Sequence, residues 1–461
     1  MVKHSEVYGS VFFKFLLFLC PFILGVTGYL TAGETVTNAL YASMALYFVN
    51  PVSDGLNIWI EAARWTAPLA SATALLYTFT KLLAYLKWRI GCSFHDSVAV
   101  YTDSDIKIKF GDKVREIYST IVRKSAKTHI ILMKSDTASF DFYEKHIKKL
   151  KNKKVYIGLY EVDLGLMKEN PNVNYFDVSG TIARLLWKKI KVWNREKKDS
   201  LKIVIWGEGA LAERILSYGL LLNLFSVSQH IKYVMVGDIF FQIKHPQMCL
   251  MNYDTILFLQ HEDEEVWNEL HEADIVIIAD ELTSAFFQTL AICARKADLY
   301  YFSRHEGDIG DVVSAGTITA FGRDEEIYTD ECIRQEKLIA EAKRLNELYA
   351  EKYHGVSDWN QLSGFLKWSN ISSADFMQVL EDIISRTPSV DNDMLAELEH
   401  IRWCRFHYLN YWKFGIPQNG KTKDEKNKIH SCLRQFNDLS ENDKNKDRAV
   451  VAEIRSKAVM T

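Results

Sequence analysis

The chain has 461 residues, 48% of them hydrophobic and 25% charged, with only 7 prolines, a composition that excludes a long disordered protein. At roughly 150 residues per domain, this length predicts about three domains. The formal net charge of −3 gives no general attraction to nucleic acid. The 7 cysteines are dispersed and form no C-x-x-C pair, so a zinc or thioredoxin-type motif is not predicted. Dispersed cysteines fit reduced thiols in a cytosolic body.

Two apolar stretches near the N-terminus predict a transmembrane hairpin. Val11–Thr31 and Trp65–Leu86 are each long enough to cross about 30 Å of hydrocarbon. Lys87 and Arg89 follow the second stretch, so the positive-inside rule places that end, and the rest of the chain, in the cytosol. The alternatives are a cleaved signal peptide for the first stretch and a buried helix of a soluble domain for the second.

The segment between the two stretches favours a re-entrant layout. Asn38–Val49 predicts a short, mostly apolar helix, and Pro51–Gly55 predicts a turn after it. Helix, short helix, turn and helix is the layout of a two-helix channel subunit, where irregular backbone is tolerated only when it lines a pore. The T-x-G-Y-G type run of a potassium filter is absent, so potassium selectivity is unsupported. The alternative is an extracytoplasmic loop without a pore.

Residues 97-198, which follow the membrane region 1-96, predict a first α/β unit. Alternating strands and helices indicate a parallel sheet. The turn after the first strand, Thr102–Asp105, has no glycine, so we expect this unit to bind no dinucleotide. The predicted elements are strand Ser97–Tyr101, helix Lys113–Lys124, strand His129–Met133, helix Phe140–Leu150, strand Lys154–Leu159 and helix Ile182–Val192, with a charged boundary at Asn194–Asp199.

Residues 199-328 predict a second, nucleotide-binding Rossmann unit. A strand ending at Trp206 runs into Gly207, Gly209 and Ala212 in a G-x-G-x-x-A pattern that opens a helix. The first glycine allows the tight turn, the second lets a pyrophosphate reach the backbone, and the alanine lets helix and strand pack closely. Asp238 ends the next predicted strand and could accept from a ribose hydroxyl, although it lies farther from the glycines than the usual ~20 residues.

The ligand expected at this turn is NAD(H) or another adenine nucleotide, and the alternative is a Rossmann fold without a ligand. Strands Asp274–Ala279, Asp298–Phe302 and Thr317–Phe321 complete a doubly wound parallel sheet. No catalytic constellation accompanies the pattern, so we expect no enzyme. A nucleotide-dependent oxidoreductase is the enzymatic alternative.

The C-terminal third predicts a helical connector, residues 329-387, and a small final module, residues 388-461. The connector begins with a charged helix, Asp330–Tyr353, and Pro388 marks its end. Asp391 or Asp393 could cap the next helix, Ala396–Gly415.

One face of that final helix combines ligand-binding residue types. Glu399, Arg402 and Trp403 share the face at helical spacing with Phe406. An Arg fork and an indole suit a planar or anionic ligand. The alternative is an internal ion pair between Glu399 and Arg402, packed under Trp403.

The stretch Leu395–Gly415 contains E-H-x-R-W, from Glu399 to Trp403, and Y-W-K-F-G at Tyr411–Gly415. With these motifs it resembles the ryanodine-receptor-type (RyR) repeat of prokaryotic proteins. Tyr411 stands where that family usually has Gly, and Ser431 stands where Pro usually follows the His. The resemblance implies a mainly α-helical RyR domain and a ligand site. The residues that match the motif are Glu399, His400, Arg402, Trp403, Trp412, His430 and Asp447.

The middle of the chain resembles tandem TrkA-N (RCK-like) domains, the first copy without its glycines. Nearly the whole chain looks like bacterial membrane proteins that join an ion-channel-like hairpin, TrkA-N units and an RyR domain. The resemblance implies a multi-pass protein of the cytoplasmic membrane, a homo-oligomer (a tetramer by analogy) and a small nucleotide-like ligand, with no nucleic-acid partner. We expect a ligand-gated channel-like protein, which the resemblance connects with antiviral signalling. The alternative is a non-conducting, membrane-tethered sensor or scaffold.

Overall fold

The computed structural model describes residues 2–460, apart from 51–56, 95, 168–169, 171, 196–199, 306–312, 314–315 and 419, and apart from the side chains of 2–15, 17, 93–94 and 457–460. The predicted turn Pro51–Gly55 and most of the charged boundary Asn194–Asp199 therefore lie outside the described residues. The chain divides into two compact units, Met1–His95 and Asp96–Thr461.

The first unit consists of helices packed through small residues. A Cβ atom on Gly25 would lie 2.8 Å from Ser43 Oγ, and one on Gly28 would lie 2.7 Å from Ile60 Cγ1. Such close helix contacts, which only small residues permit, are common between helices in membranes. The elements are α1 (Val2–Thr31), α2 (Val36–Ala45), a 3-10 turn (Leu46–Phe48) and α3 (Ile58–Phe94).

Within the described residues, one helix is long and apolar enough to cross a membrane. It covers Ile58–Cys92, and only 6% of its most apolar window is buried, unlike the core helix of a soluble protein. The side chains of Leu69, Leu75 and Leu76 on this helix are exposed. The described apolar part of α1, Phe18–Thr31, is shorter. This is weak evidence for membrane association, and the two-helix hairpin stays a prediction.

The second unit begins with a five-stranded parallel sheet in the order β2-β1-β3-β4-β5. The predicted helix Lys113–Lys124 is wrong, because Val114–Tyr118 pairs with β1 at the sheet edge. The apolar residues of this segment recur at helical spacing, which is why the sequence predicts a helix. An edge strand buries its side chains only partly, so it does not need the strict alternation of apolar and polar residues that marks a strand. The elements are β1 (Asp96–Tyr101), β2 (Val114–Tyr118), β3 (Thr128–Ile131), α4 (Asp136–Leu150), β4 (Lys154–Leu159), β5 (Val173–Asp177) and α5 (Val178–Ile190).

A six-stranded parallel sheet follows, in the order β11-β10-β9-β6-β7-β8. This is the doubly wound Rossmann order, with its switch point between β6 and β9. The prediction of Rossmann-like α/β units is confirmed. The elements are β6 (Ser200–Gly207), α6 (Gly209–Leu222), β7 (His230–Gly237), α7 (Phe240–Lys244), β8 (Thr255–Leu259), α8 (Glu265–His271), β9 (Ile275–Ile278), α9 (Ser284–Cys293), β10 (Asp298–Phe302) and β11 (Thr317–Phe321).

Helices dominate the C-terminal part, together with a small three-stranded sheet. The predicted helix Asp330–Tyr353 is broken at Gln335, whose left-handed φ of 51° interrupts the helical backbone. The elements are α10 (Asp324–Ile327), α11 (Asp330–Arg334), α12 (Glu336–Tyr353), α13 (Gly364–Arg386), α14 (Asn392–Leu409), β12 (Lys413–Phe414), β13 (Lys423–Asp424), β14 (Ile429–His430) and α15 (Glu441–Met460).

Helix α14 begins where the capping residue predicts and ends earlier than the pattern predicts. Asp391 accepts a hydrogen bond from the Met394 amide at 3.1 Å, so Asp391 is the N-cap. The helix stops at Leu409 because Tyr411 has a φ of 69°, a left-handed conformation that suits glycine. Tyr411 instead donates to Asp163 at 2.9 Å and stacks on His245.

A buried arginine holds α14 against the six-stranded sheet. Arg405 is 0% exposed and pairs with Asp254 at 2.7 Å. Its other donors reach Asn252 Oδ1 and the carbonyl oxygens of Leu220 and Leu250. The orientation of α14 is thus set by hydrogen bonds to fixed backbone groups.

Candidate functional site

A cavity of about 890 Å³ lies among α12, α13, α14, α15 and the small sheet. This volume suits a small organic molecule or a cofactor. All of the residues singled out by the RyR motif line it: Glu399, His400, Arg402, Trp403, Trp412, His430 and Asp447. The structure therefore brings together side chains that the sequence separates by up to 48 positions.

The predicted connector forms one wall of this cavity, with no spacer between it and the motif. Leu345, Tyr349 and Tyr353 of α12 and Phe365 and Ser373 of α13 line the cavity. A ligand there would contact both the motif and the connector.

Glu399 and Arg402 form an internal ion pair at the cavity wall. Arg402 donates to the two carboxylate oxygens of Glu399 at 2.8 Å each, and to Ser372 Oγ at 2.9 Å. Ser373 donates to Glu399 at 2.8 Å, and both members of the pair are buried. The geometry of the two side chains is thus that of the alternative, an internal ion pair. Such a pair leaves little uncompensated positive charge for an anionic ligand.

His400 and Asp447 form a second buried ion pair. The Nδ1 of His400 faces Asp447 Oδ2 at 3.2 Å, and its Nε2 faces the Arg434 carbonyl oxygen at 2.9 Å. Burial opposes the charge, but the Asp447 carboxylate and the Cys404 thiol raise the pKa of His400 to about 11. Burial raises the pKa of the Asp447 carboxyl, but the acceptors at both ring nitrogens of His400 favour the proton on the imidazole.

Aromatic rings surround the open part of the cavity. Trp403 lies 3.9 Å from His407 and 5.0 Å from His430, measured between ring centroids. Trp412 lies 5.5 Å from His407, and Phe365 lies 5.3 Å from Trp412. Two indoles and a phenyl ring offer faces on which a planar ligand can stack.

Both histidines of this aromatic group are neutral. Burial lowers the pKa of His407 to about 3; the Trp403 carbonyl opposes this shift, and the Arg402 and Lys423 charges add to it. Burial, together with Lys423 and Lys446, lowers the pKa of His430 to about 4. Uncharged imidazoles can hydrogen-bond a ligand without attracting ions.

His407, Phe365 and the lysines at the rim of the cavity are not among the residues that the sequence predicts for the site. His407 follows His400 by seven positions and Trp403 by four, so helical spacing was the signal that could have found it. Phe365 comes from α13, and only tertiary packing brings it to the motif. The rim lysines are paired: Lys423 with Glu425 at 2.6 Å and Lys446 with Asp443 at 2.7 Å.

The glycine turn of the six-stranded sheet has the backbone that its sequence predicts. Gly207 has φ 146° and Gly209 has φ 76°, both in the region that favours glycine. A Cβ atom on Gly207 would lie 3.0 Å from Ala279 Cβ, whereas one on Gly209 would meet open space. Ala212 is fully buried on α6. The turn lies at the switch point, where ligands of this fold bind.

The amides of that turn are already bound to carboxylates. The Glu208 amide donates to Asp280 at 3.2 Å, and the Gly209 amide donates to Asp238 at 3.1 Å. Asp238, which is buried, also accepts from the Phe240 amide at 2.7 Å. A phosphate would have to displace these carboxylates, and their negative charge would repel it.

Asp280 also faces a cavity of about 480 Å³ at the switch point, lined by Trp206, His261, Glu281 and Phe286. Burial raises the pKa of Asp280, and the nearby Glu208 and Asp238 carboxylates act in the same direction. Across the part of the chain that the structure describes, there is no group of three or more His, Cys, Asp or Glu side chains that could hold a metal ion.

Comparison with known proteins identifies the C-terminal part. The family model described as the RyR domain matches residues 384–459, so the chain contains an RyR domain. No curated protein matches the chain. Among solved structures, the chain is similar to the NAD-complexed D-isomer specific 2-hydroxyacid dehydrogenase from Lactobacillus delbrueckii ssp. bulgaricus, with 12% identity, 64% of this chain and 99% of that chain covered, and a TM-score of 0.19. A likeness of this size says nothing about function.

Proposed function

We propose that this protein is a membrane-tethered sensor, not an enzyme, and that it binds a small planar, nucleotide-like ligand. The ligand would bind in the cavity that the RyR-motif residues line, which we call the RyR cavity. One observation carries the proposal: the motif residues converge on a single cavity of about 890 Å³. Stacking faces on Trp403 and Trp412 and neutral hydrogen-bonding groups on His407 and His430 are the chemistry that a nucleobase requires.

The RyR cavity is the better site for this ligand than the glycine turn. The glycine conformations and the Rossmann order favour NAD(H) or another adenine nucleotide at Gly207, Gly209 and Ala212. The Asp238 and Asp280 carboxylates on the turn amides oppose a phosphate there. In the RyR cavity, the Glu399 and Asp447 carboxylates are instead paired with Arg402 and His400, so their charges oppose a ligand less.

Ligand titration of the full-length protein in detergent tests the site. The titrants are ATP, ADP, AMP, cyclic AMP, NAD and NADH, and the readouts are tryptophan fluorescence and the thermal midpoint. We expect Trp403→Leu to weaken binding at least tenfold, about 1.4 kcal/mol, through loss of the stacking face.

The matched control Trp267→Leu changes a tryptophan outside the cavity and leaves affinity unchanged. Gly209→Val tests the competing site at the turn. If Gly209→Val abolishes binding and Trp403→Leu does not, the ligand site is the Rossmann turn and the proposal is wrong.

The membrane part of the proposal is a hairpin in the cytoplasmic membrane with the second unit in the cytosol. Helix α3 supports it through its length and its exposed apolar side chains. The basic residues Lys87 and Arg89 favour a cytosolic C-terminal end for α3. The chain continues from α3 into β1, so a ligand that prefers one arrangement of the second unit could act on the membrane helix.

A ligand-gated channel is the second candidate, and the packing of α2 favours it. The short helix and its 3-10 turn contact both long helices: Tyr47 donates to the Phe18 carbonyl, and Ser71 donates to the Tyr47 carbonyl at 2.9 Å. A re-entrant segment of this kind lines pores in two-helix channels. A pore would require a homo-oligomer, a tetramer by analogy with TrkA-N-regulated channels. Ligand-dependent ion flux from liposomes would support conduction, and a monomeric particle in mild detergent would exclude it.

A further inference from the structure

Two neutral imidazoles face the same cavity with opposite hydrogen-bonding character. The rings of His407 and His430 lie 5.7 Å apart at 73°, and both residues line the cavity beside Trp403. Each uses its Nδ1 in a hydrogen bond to the backbone. Within the part of the chain that the structure describes, the side-chain hydrogen bonds of both rings are formed at Nδ1 and not at Nε2.

The backbone contact of His407 leaves its Nε2 as an acceptor. His407 Nδ1 lies 2.8 Å from the Trp403 carbonyl oxygen. A carbonyl oxygen can only accept, so Nδ1 carries the proton. The ring is neutral, and its Nε2 therefore has a bare lone pair.

The backbone contact of His430 has the reverse effect. The Cys432 amide donates to His430 Nδ1 at 3.1 Å. An amide N–H can only donate, so Nδ1 is the acceptor. The proton of the neutral ring is on Nε2, which is a donor.

We propose that His407 Nε2 and His430 Nε2–H read the edge of an aromatic heterocycle that has a donor beside an acceptor, as the base of a nucleoside does. This inference rests on the proposed function and adds a specificity-determining pair to it. Trp403 and Trp412 would contact the faces of the ring while the imidazoles contact its edge. The base edge of adenosine, with an amino group next to a ring nitrogen, satisfies both imidazoles, and so does the N1–H and O6 edge of inosine.

The charges at the cavity support a neutral edge as the recognised feature. Glu399 is paired with Arg402, and Asp447 is paired with His400. Lys446, which faces His430, is paired with Asp443. A ligand that bound to any of these paired charges would have to break an ion pair, whereas a base edge would bind to neutral imidazoles.

Nucleoside binding to the full-length protein in detergent tests the inference. The probes are adenosine, inosine and purine riboside, which lacks any donor at this edge. We expect purine riboside to bind about tenfold more weakly than adenosine, because His407 Nε2 would then lose its partner. In His407→Phe the adenosine advantage disappears, and in His146→Phe, a matched change on the surface helix α4, it remains. Equal affinity of native protein for adenosine and purine riboside, or no binding of either, would overturn the inference.

A second measurement does not depend on ligand. Protein labelled with ¹⁵N-histidine, with His407 and His430 assigned by their Gln variants, is expected to show a neutral Nδ1–H ring for His407 and a neutral Nε2–H ring for His430 at pH 7. If both histidines had the same tautomer, they could not supply one acceptor and one donor to the base edge, and the inference would be refuted even if nucleotides bind. Correct tautomers with no binding of any nucleotide would instead count against the proposed function and, with it, this inference.

Discussion

Arg405 and Arg448 are two arginines of the RyR domain whose ion pairs differ in burial. Arg405 and Asp254 are both fully buried, whereas Arg448 pairs with Asp393 and Glu441 at the surface. A buried charge that loses its partner pays its full desolvation cost, and a surface charge returns to water.

We therefore expect Arg405→Met to lower the free energy of unfolding by about 3–5 kcal/mol, because Asp254 stays buried without its cation. Arg448→Met is the control and should leave unfolding nearly unchanged. Urea unfolding of both variants checks the prediction. Equal effects would mean that Arg405 does not fix α14 to the six-stranded sheet.

The shifted pKa values of three histidines predict that the free energy of unfolding is highest near neutral pH. The pKa of His400 is raised to about 11, so its stabilisation is complete below the unfolded value of 6.5 and is lost as the pH rises toward 11. His407 and His430 have lowered pKa values of about 3 and about 4, so the unfolded chain binds more protons below pH 6.5 and stability falls there.

His400→Gln should remove most of the alkaline slope, which is about 1.4 kcal/mol per pH unit for one proton. The thermal midpoint of native and variant protein between pH 5 and pH 10 is the measurement. An unchanged slope above pH 7 would show that the proton does not lie on His400.

The glycine turn of the second sheet combines a phosphate-binding backbone with its own bound carboxylates. The positive φ angles of Gly207 and Gly209 present the amides at the helix N-terminus, as in dinucleotide sites. Asp280 and Asp238 accept from those amides, in the role that a phosphate would have. The turn is thus satisfied without ligand.

Replacing the carboxylate should open this turn to phosphate. We expect Asp280→Asn to strengthen binding of NAD or ADP severalfold, because one negative charge facing the pyrophosphate is removed. Isothermal titration at low and high salt measures the change, and Glu281→Gln, on the neighbouring residue without an amide contact to the turn, is the control. Weaker binding in Asp280→Asn would assign Asp280 to ligand recognition.

Across the whole molecule, the second unit couples the RyR domain to both sheets. Arg405 contacts the six-stranded part, and Tyr411 donates to Asp163, which lies between β4 and β5 of the five-stranded part. The left-handed φ of Tyr411 costs about 1 kcal/mol, and its hydroxyl and ring contacts offset that cost. A ligand in the RyR cavity would therefore contact α14, the helix that Arg405 holds against the six-stranded sheet.

The membrane tether is tested on the full chain in its native membrane. We expect the protein to stay in the pellet after alkaline carbonate extraction, because α3 exposes apolar side chains that only lipid or a partner helix can cover. Release into the supernatant free of lipid would contradict the tether. A cytosolic, soluble protein extracted in parallel controls for trapping.

Local pattern was sufficient for the parts of this protein whose signal lies within a few residues. Periodicity and the glycine turn predicted the parallel α/β units, and the E-H-x-R-W motif predicted the RyR domain that the family comparison identifies. The same reasoning failed at Val114–Tyr118 and at Gln335, because an edge strand and a helix break depend on neighbours distant in sequence.

Tertiary structure alone decided how the site is built. The burial of the Glu399–Arg402 pair, the neutral charge of His407 and His430 and the wall contributed by Phe365 all depend on which elements pack against α14. Sequence specifies which side chains are present. Their protonation states, and which of their hydrogen-bond donors and acceptors remain available, depend on distance and burial. A linear pattern contains neither quantity.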